Sequence, residues 1–145
     1  MVLALLPLIT IGCWGTDKGP TRTYSYKVKN ESGYAISIVS YKSNYPDIVP
    51  IKTTLLNGEE KTKVYKDFNP PSGYNFRHFF GNGDNQRDSI VVIYGSKKFS
   101  SFKSEGCSGG LRNPLNFCEY RELQETFVFS KEDYETAEPC NGNCD

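Results

Sequence analysis

Five cysteines, one histidine and a short run of aromatic rings are the residues of this chain that could do chemistry. His78 would have to anchor any acid–base or nucleophilic centre, because imidazole is the usual proton carrier near neutral pH. It sits in Asn75-Phe76-Arg77-His78-Phe79-Phe80, and no serine of the chain lies in a nucleophile-elbow pattern. No catalytic residue is therefore assigned, and a hydrolase built on His78 is the weakest of the readings open here. A metal centre needs several imidazole, thiolate or carboxylate ligands. Asn82, Asp84, Gln86 and Asp88 alternate as in a calcium loop. Arg87 and Ile93 stand where the glycine and bidentate glutamate of an EF-hand belong. Gly81-Asn82-Gly83 lacks the lysine and the strand–helix setting of a phosphate loop. No metal and no other cofactor is expected.

The cysteines read differently. With Cys13 set aside, Cys107, Cys118, Cys140 and Cys144 remain, an even number that suits disulfides in an exported chain. Four cysteines allow three connectivities. The favoured one pairs Cys107 with Cys118 and Cys140 with Cys144. The first pair closes a loop holding Gly106, Gly109, Gly110 and Pro114, which has little apolar support of its own. The second closes Asn141-Gly142-Asn143, residues that tolerate left-handed backbone. Closing a loop of about ten residues contributes somewhat under 3 kcal/mol in the chain-entropy view. A four-cysteine zinc site would want two CxxC-type pairs, and these spacings differ.

Tyr74, Phe76, His78, Phe79 and Phe80 form a candidate binding loop. Aromatic rings in a connection can stack on a glycan or anchor a protein partner. The competing expectation is an Ω-loop that folds its own rings onto a sheet.

Residues Val2 to Ile11 form an uncharged apolar run that ends in Thr10-Ile11-Gly12-Cys13. About 20 residues are needed to span a bilayer, and this run has the length of a signal-peptide core instead. Gly12-Cys13 after Ile11 resembles a bacterial lipobox; Thr10 departs from its usual leucine. No Lys or Arg precedes the run, a departure that a start codon further upstream would remove. The resemblance implies a signal peptide over 1–12 and diacylglycerol on the Cys13 thiol. Cleavage there would free an amine for a third acyl chain. Each buried CH₂ adds about 0.8 kcal/mol, and two or more chains anchor stably. Residues 13–23 (from Cys13, then WGTDKGPTRT) then read as a lipidated tether. Trp14, rather than Asp, follows the cysteine, so by analogy with bacterial sorting nothing retains the chain in the inner membrane. An outer-membrane location is the expectation, with the periplasmic and surface faces both open.

Elements that would position these residues are strands. The 145-residue chain suits one domain, here 24–145. Its ten Tyr and nine Phe, with many Val, Ile and Thr, favour pleated half-buried surfaces. Seventeen basic against seventeen acidic residues argue against a nucleic-acid partner. Thr23–Lys29 alternates, with Tyr24, Tyr26 and Val28 on one face. Asn30–Gly33 is a turn, and Tyr34–Tyr41 a second strand, predicting an antiparallel hairpin. Asn57-Gly58 predicts another hairpin between Ile51–Leu56 and Glu59–Lys66. Asp88–Tyr94 is a nearly continuous apolar run, expected as a central strand covered on both faces. Lys98–Lys103 follows it. Glu119–Phe129 is the last strand, with Leu123, Glu125, Phe127 and Phe129 on one face. Ser130 caps a short helix over Lys131–Ala137, Asp133 completing the box. The fold class expected is all-β: one antiparallel β-sandwich or partly open barrel of about seven strands, with a short C-terminal helix.

YSYKVKNESGYAISIVSY, DSIVVIY and the ending ETFVFSKEDYETA together resemble small lipoproteins of the Bacteroidota phylum, a family with no assigned activity. The resemblance covers most of the mature chain. It implies a β-fold in the cell envelope and no mechanism. In that phylum Asp88-Ser89-Ile90 also matches a short O-glycosylation signal, making Ser89 a candidate modification site. The function expected is a non-enzymatic binding or accessory module, held to a membrane by its lipid and meeting an envelope protein or glycan. A purely structural or inhibitor-like envelope protein is the alternative.

Overall fold

The computed structural model describes residues 20–67, 73–82, 85–108, 110, 112–116, 118–120, 122–142 and 144. Cys13, the 1–12 leader and most of the tether lie outside them. Among the described residues eight strands form two facing sheets. They are β1 (Arg22–Glu31), β2 (Ile36–Tyr41), β3 (Ile51–Leu55), β4 (Glu60–Asp67), β5 (Ser89–Tyr94), β6 (Lys98–Lys103), β7 (Gln124–Ser130) and β8 (Glu138–Pro139). One sheet runs β4-β1-β7 and the other β3-β2-β5-β6-β8, with no closed barrel. Two short helices, α1 (Phe76–Phe79) and α2 (Lys131–Thr136), complete the order. The all-β sandwich is thus the observed fold. Among the described strands one pairing is parallel, β1 with β7; after β7, α2 and β8 carry the chain from the first sheet to the second.

Neither predicted hairpin forms. β1 pairs with β4 and β2 with β3, so the chain changes sheet between β1 and β2 and again between β3 and β4. The two turns make one corner, where a long strand pair bends from sheet to sheet. The reason lies in the inward faces. Tyr24, Tyr26 and Val28 of β1 and Ile36 and Ile38 of β2 are all buried. Two such strongly apolar faces bury more surface opposed across a sandwich than side by side on one sheet.

Asn30 ends the inward row of β1 and is 0% exposed. Its carboxamide uses every hydrogen-bonding position. Nδ2 donates to the carbonyls of Tyr34 (2.7 Å) and Leu55 (3.0 Å). Oδ1 accepts from Ser32 N (3.1 Å) and Ser32 Oγ (2.8 Å). Its backbone bonds Glu59 O and Gly58 N across the corner. Asn57 Oδ1 answers by accepting Gly33 N at 2.8 Å. Gly33 and Gly58 both have positive φ, 88° and 83°, which a side chain would resist.

β5 is the middle strand of its sheet, as expected. Ile90, Val92 and Tyr94 face the core, and Ile93 on the other face is also buried. β7 begins later than predicted. Phe127 and Phe129 are buried, but Leu123 lies before the strand and is 44% exposed. Ser130 N-caps α2 with Asp133 reciprocating, as its sequence requires.

Replacing Asn30 by Ala removes its donors from the Tyr34 and Leu55 carbonyls and its acceptor from the Ser32 amide and hydroxyl at the corner. The expected cost is about 3 kcal/mol in urea unfolding. Glu31→Ala, beside it but exposed, should stay within about 0.5 kcal/mol.

Candidate functional site

The end of the sandwich opposite the corner is closed by the 73–88 segment. Asn75 N-caps α1: its Oδ1 accepts Arg77 N at 2.9 Å, and its own N donates to His78 Nδ1 at 3.2 Å. Nδ1 also lies 3.2 Å from Asn75 Oδ1, so the ring is held against the cap by two groups of one residue. Phe76 then enters the core. Its ring meets Tyr26 at 5.2 Å, Tyr120 at 5.3 Å and Phe79 at 5.8 Å between centroids. Lys63 closes the helix from the opposite strand, donating to Phe79 O (2.6 Å) and Gly81 O (2.8 Å). Burial, with some repulsion from Lys61, holds this ammonium below its ordinary pKa.

The candidate binding loop is therefore corrected. Phe76, His78, Phe79 and Phe80 are buried, and Tyr74 is half-buried and stacked on Tyr65 at 4.7 Å. These rings plug the gap between the sheets, and burying them stabilises the fold by roughly 1.5–3 kcal/mol each. Phe76, His78, Phe79 and Phe80 are thus taken up by the core, and Tyr74 alone of the five keeps part of its surface exposed.

The other sequence candidates fall apart in space. Cys107 lies against Cys118 and Cys140 against Cys144 as disulfides, with Cα separations of 5.1 and 5.5 Å. Ser89 stands half-buried on the outward face of β5, between Tyr41 and Lys103. Asp88 accepts Ser43 N and Ser43 Oγ, both at 2.8 Å. Asp84 lies outside the described residues. Among the described residues no three His, Cys, Asp or Glu side chains converge as a metal site would require. A concavity of about 380 Å³ between β6 and α2 contains Asp133. That carboxylate is already committed to Ser130 N, Ser130 Oγ and Arg112.

What remains is one exposed connection between strands. The nine residues 42–50 join β2 to β3. Tyr45 is 55% and Val49 79% exposed, with Tyr41 beside them at 37%. The loop is held, not slack. Tyr45 N bonds Lys42 O at 2.9 Å, and Ile48 N bonds Tyr45 O at 3.0 Å. Lys42 Nζ lies 4.6 Å from the Tyr45 ring centroid. Beneath, Arg87 is 3% exposed and donates Nη2 to Val49 O at 3.1 Å. Asp88 holds Ser43 as described. Pro46 and Pro50 fix two further backbone angles. Such a surface presents rings and an apolar tip whose ordering cost is already met by the fold. The sequence carries the signal: Ile48 and Val49 sit between Pro46 and Pro50, with Tyr45 just before them, and no strand period absorbs the three.

Comparison with protein-family models, with curated proteins and with solved structures finds no match to this chain.

Phe76→Ala should destabilise the chain by about 3–5 kcal/mol, while Tyr45→Ala and Val49→Ala should change stability by less than about 0.5 kcal/mol. Urea titration of the three variants checks this directly. Tyr65 supplies a second check. Burial pushes its pKa up to about 12, Tyr74 adding to the effect, and its hydroxyl has no hydrogen-bond partner. An unfolded tyrosine ionises near pH 10. Between those values the unfolded state binds fewer protons, so this stabilising contribution, whole below pH 10, is lost as pH rises through 12. Tyr65→Phe should be neutral to slightly stabilising at pH 7 and should flatten the alkaline fall. A variant as alkali-sensitive as the parent would refute the assignment.

Proposed function

We propose that this chain is a lipid-anchored, extracytoplasmic module of the cell envelope that acts by binding, without catalysing a reaction. The two cysteine pairs at disulfide distance carry the reading. Such pairs persist where the surroundings are oxidising. The lipobox-like Ile11-Gly12-Cys13 and the resemblance to small Bacteroidota lipoproteins support the anchor and an outer-membrane location. The all-β fold agrees with the same resemblance.

The non-enzymatic part rests on where the reactive groups are used. His78 is buried and lends Nδ1 to a helix cap. Asp133 and Asp88 hold backbone and hydroxyl groups in place. The rigid 42–50 loop is the surface best suited to contact. No observation favours the purely structural or inhibitor-like alternative over it.

Intact mass spectrometry of protein extracted from the membrane fraction tests the anchor. The expected mass lacks residues 1–12, carries acyl chains on Cys13 and is four hydrogen atoms lighter than the reduced protein. Cys13→Ser should move the chain to the soluble fraction. Recovery of an unmodified, fully reduced chain from cytosol would end the proposal.

A further inference from the structure

The exposed loop and the start of the first strand share one end of the domain. β1 begins at Arg22, opposite Asp67, and runs toward the corner. β2 returns from the corner and finishes at Tyr41, opposite Ser89. The 73–88 segment ties these two ends together. Tyr26 Oη donates to Tyr74 O at 2.5 Å, and Ser40 Oγ to Phe80 O at 2.8 Å. Chain arriving from Cys13 therefore enters where Tyr45 and Val49 protrude.

We propose that the 42–50 loop touches the lipid bilayer, with Tyr45 and Val49 entering the boundary between headgroups and acyl chains. This rests on the Cys13 anchor proposed above. Nine residue steps separate Cys13 from Arg22. Fully extended they reach about 30 Å, and as a flexible chain about 15–18 Å on average. The loop end of the domain is thus confined near the surface to which the lipid holds it.

The side chains suit that surface. A tyrosine ring is apolar in body and polar at its tip, and such rings settle at headgroup level. Lys42 can lay its stem along apolar surface and lift its ammonium toward phosphate. Ile48-Val49-Pro50 carries no charge, and Lys42 offsets Asp47 within the loop. The contact therefore needs no anionic lipid. Two inserted side chains could not hold a free protein on a membrane. The tether makes the encounter intramolecular, at an effective concentration on the order of millimolar, where weak insertion is enough. Its consequence is orientation: the loop end faces the bilayer and the corner with α2 faces away.

Trp14 is the sole tryptophan, which makes a reporter simple to place. Full-length acylated chain carrying Trp14→Phe is given either Tyr45→Trp or, at the distant corner, Leu56→Trp. Each is reconstituted into phosphatidylcholine vesicles with or without brominated acyl chains. The expected result is protein that floats with the vesicles. Brominated lipid should then reduce emission from Tyr45→Trp about threefold or more, and emission from Leu56→Trp hardly at all. Floating protein whose Tyr45→Trp is quenched no more than Leu56→Trp would overturn the contact and leave the anchor standing. The loop would then be open to a sugar or a protein. Protein that stays at the bottom of the gradient would overturn the anchor and the contact with it.

Discussion

A carboxamide shut away from water holds the place where the two sheets meet. Asn30 continues the same inward row as Tyr24, Tyr26 and Val28, so its side chain must point into the core. An unbonded amide there would cost several kcal/mol, on the order of 2–7. It is tolerable only because Tyr34 and Leu55 offer carbonyls and Ser32 offers an amide and a hydroxyl. Those partners reach it only if β1 and β4 bend away from β2 and β3. The bond network and the sheet switch are one constraint seen from two sides. A one-residue slip would turn the carboxamide to solvent and Lys29 inward, so the corner also sets the register of both arms.

From that constraint the rest follows in order. Bent arms leave an opening at the far end, and the opening is wide enough for rings. The 73–88 segment fills it with Phe76, Phe79 and Phe80, clamped by Lys63 from β4 and by Ser40 from β2. Filling the gap in turn builds the floor on which 42–50 rests, since Arg87 and Asp88 belong to the same segment. Exposed Tyr45 and Val49 are thus supported by buried groups within one or two bonds. A loop of this kind differs from a mobile one in that binding need not order it.

Much of this was legible in local pattern. The alternation of Thr23–Lys29, the unbroken apolar run to Tyr94 and the Ser130–Asp133 capping box each depend on neighbours a few residues away. The disulfide pairs were legible for the same reason. The sheet switch was not. Asn57-Gly58 supplies a tight turn whether its flanking strands pair with each other or part into opposite sheets. The choice is made by how much apolar surface each arrangement covers, a property of strands distant in sequence. The aromatic run failed as a surface for a related reason. Rings that bind a ligand and rings that plug a core have the same composition, and only the width of the gap beneath them decides.

The two cysteine pairs sit where the sheets give least. The described residues between β6 and β7 lie outside both sheets, and among the described residues no strand follows β8. Among the described residues there, Ser104 N bonds Asp88 O, Leu123 O accepts Ser25 N and Cys140 N bonds Lys97 O, while Leu115 and Tyr120 pack against the core. A covalent link acts mainly by narrowing the unfolded ensemble, so it stabilises most usefully where the folded state has little else to offer. This placement separates two tasks. The corner and the plug hold the sandwich together by burial, while the disulfides hold the excursions that burial does not reach. The disulfides thus serve the loops rather than the core, and reduction should loosen the segments around Cys107–Cys118 and Cys140–Cys144 before it disturbs Asn30.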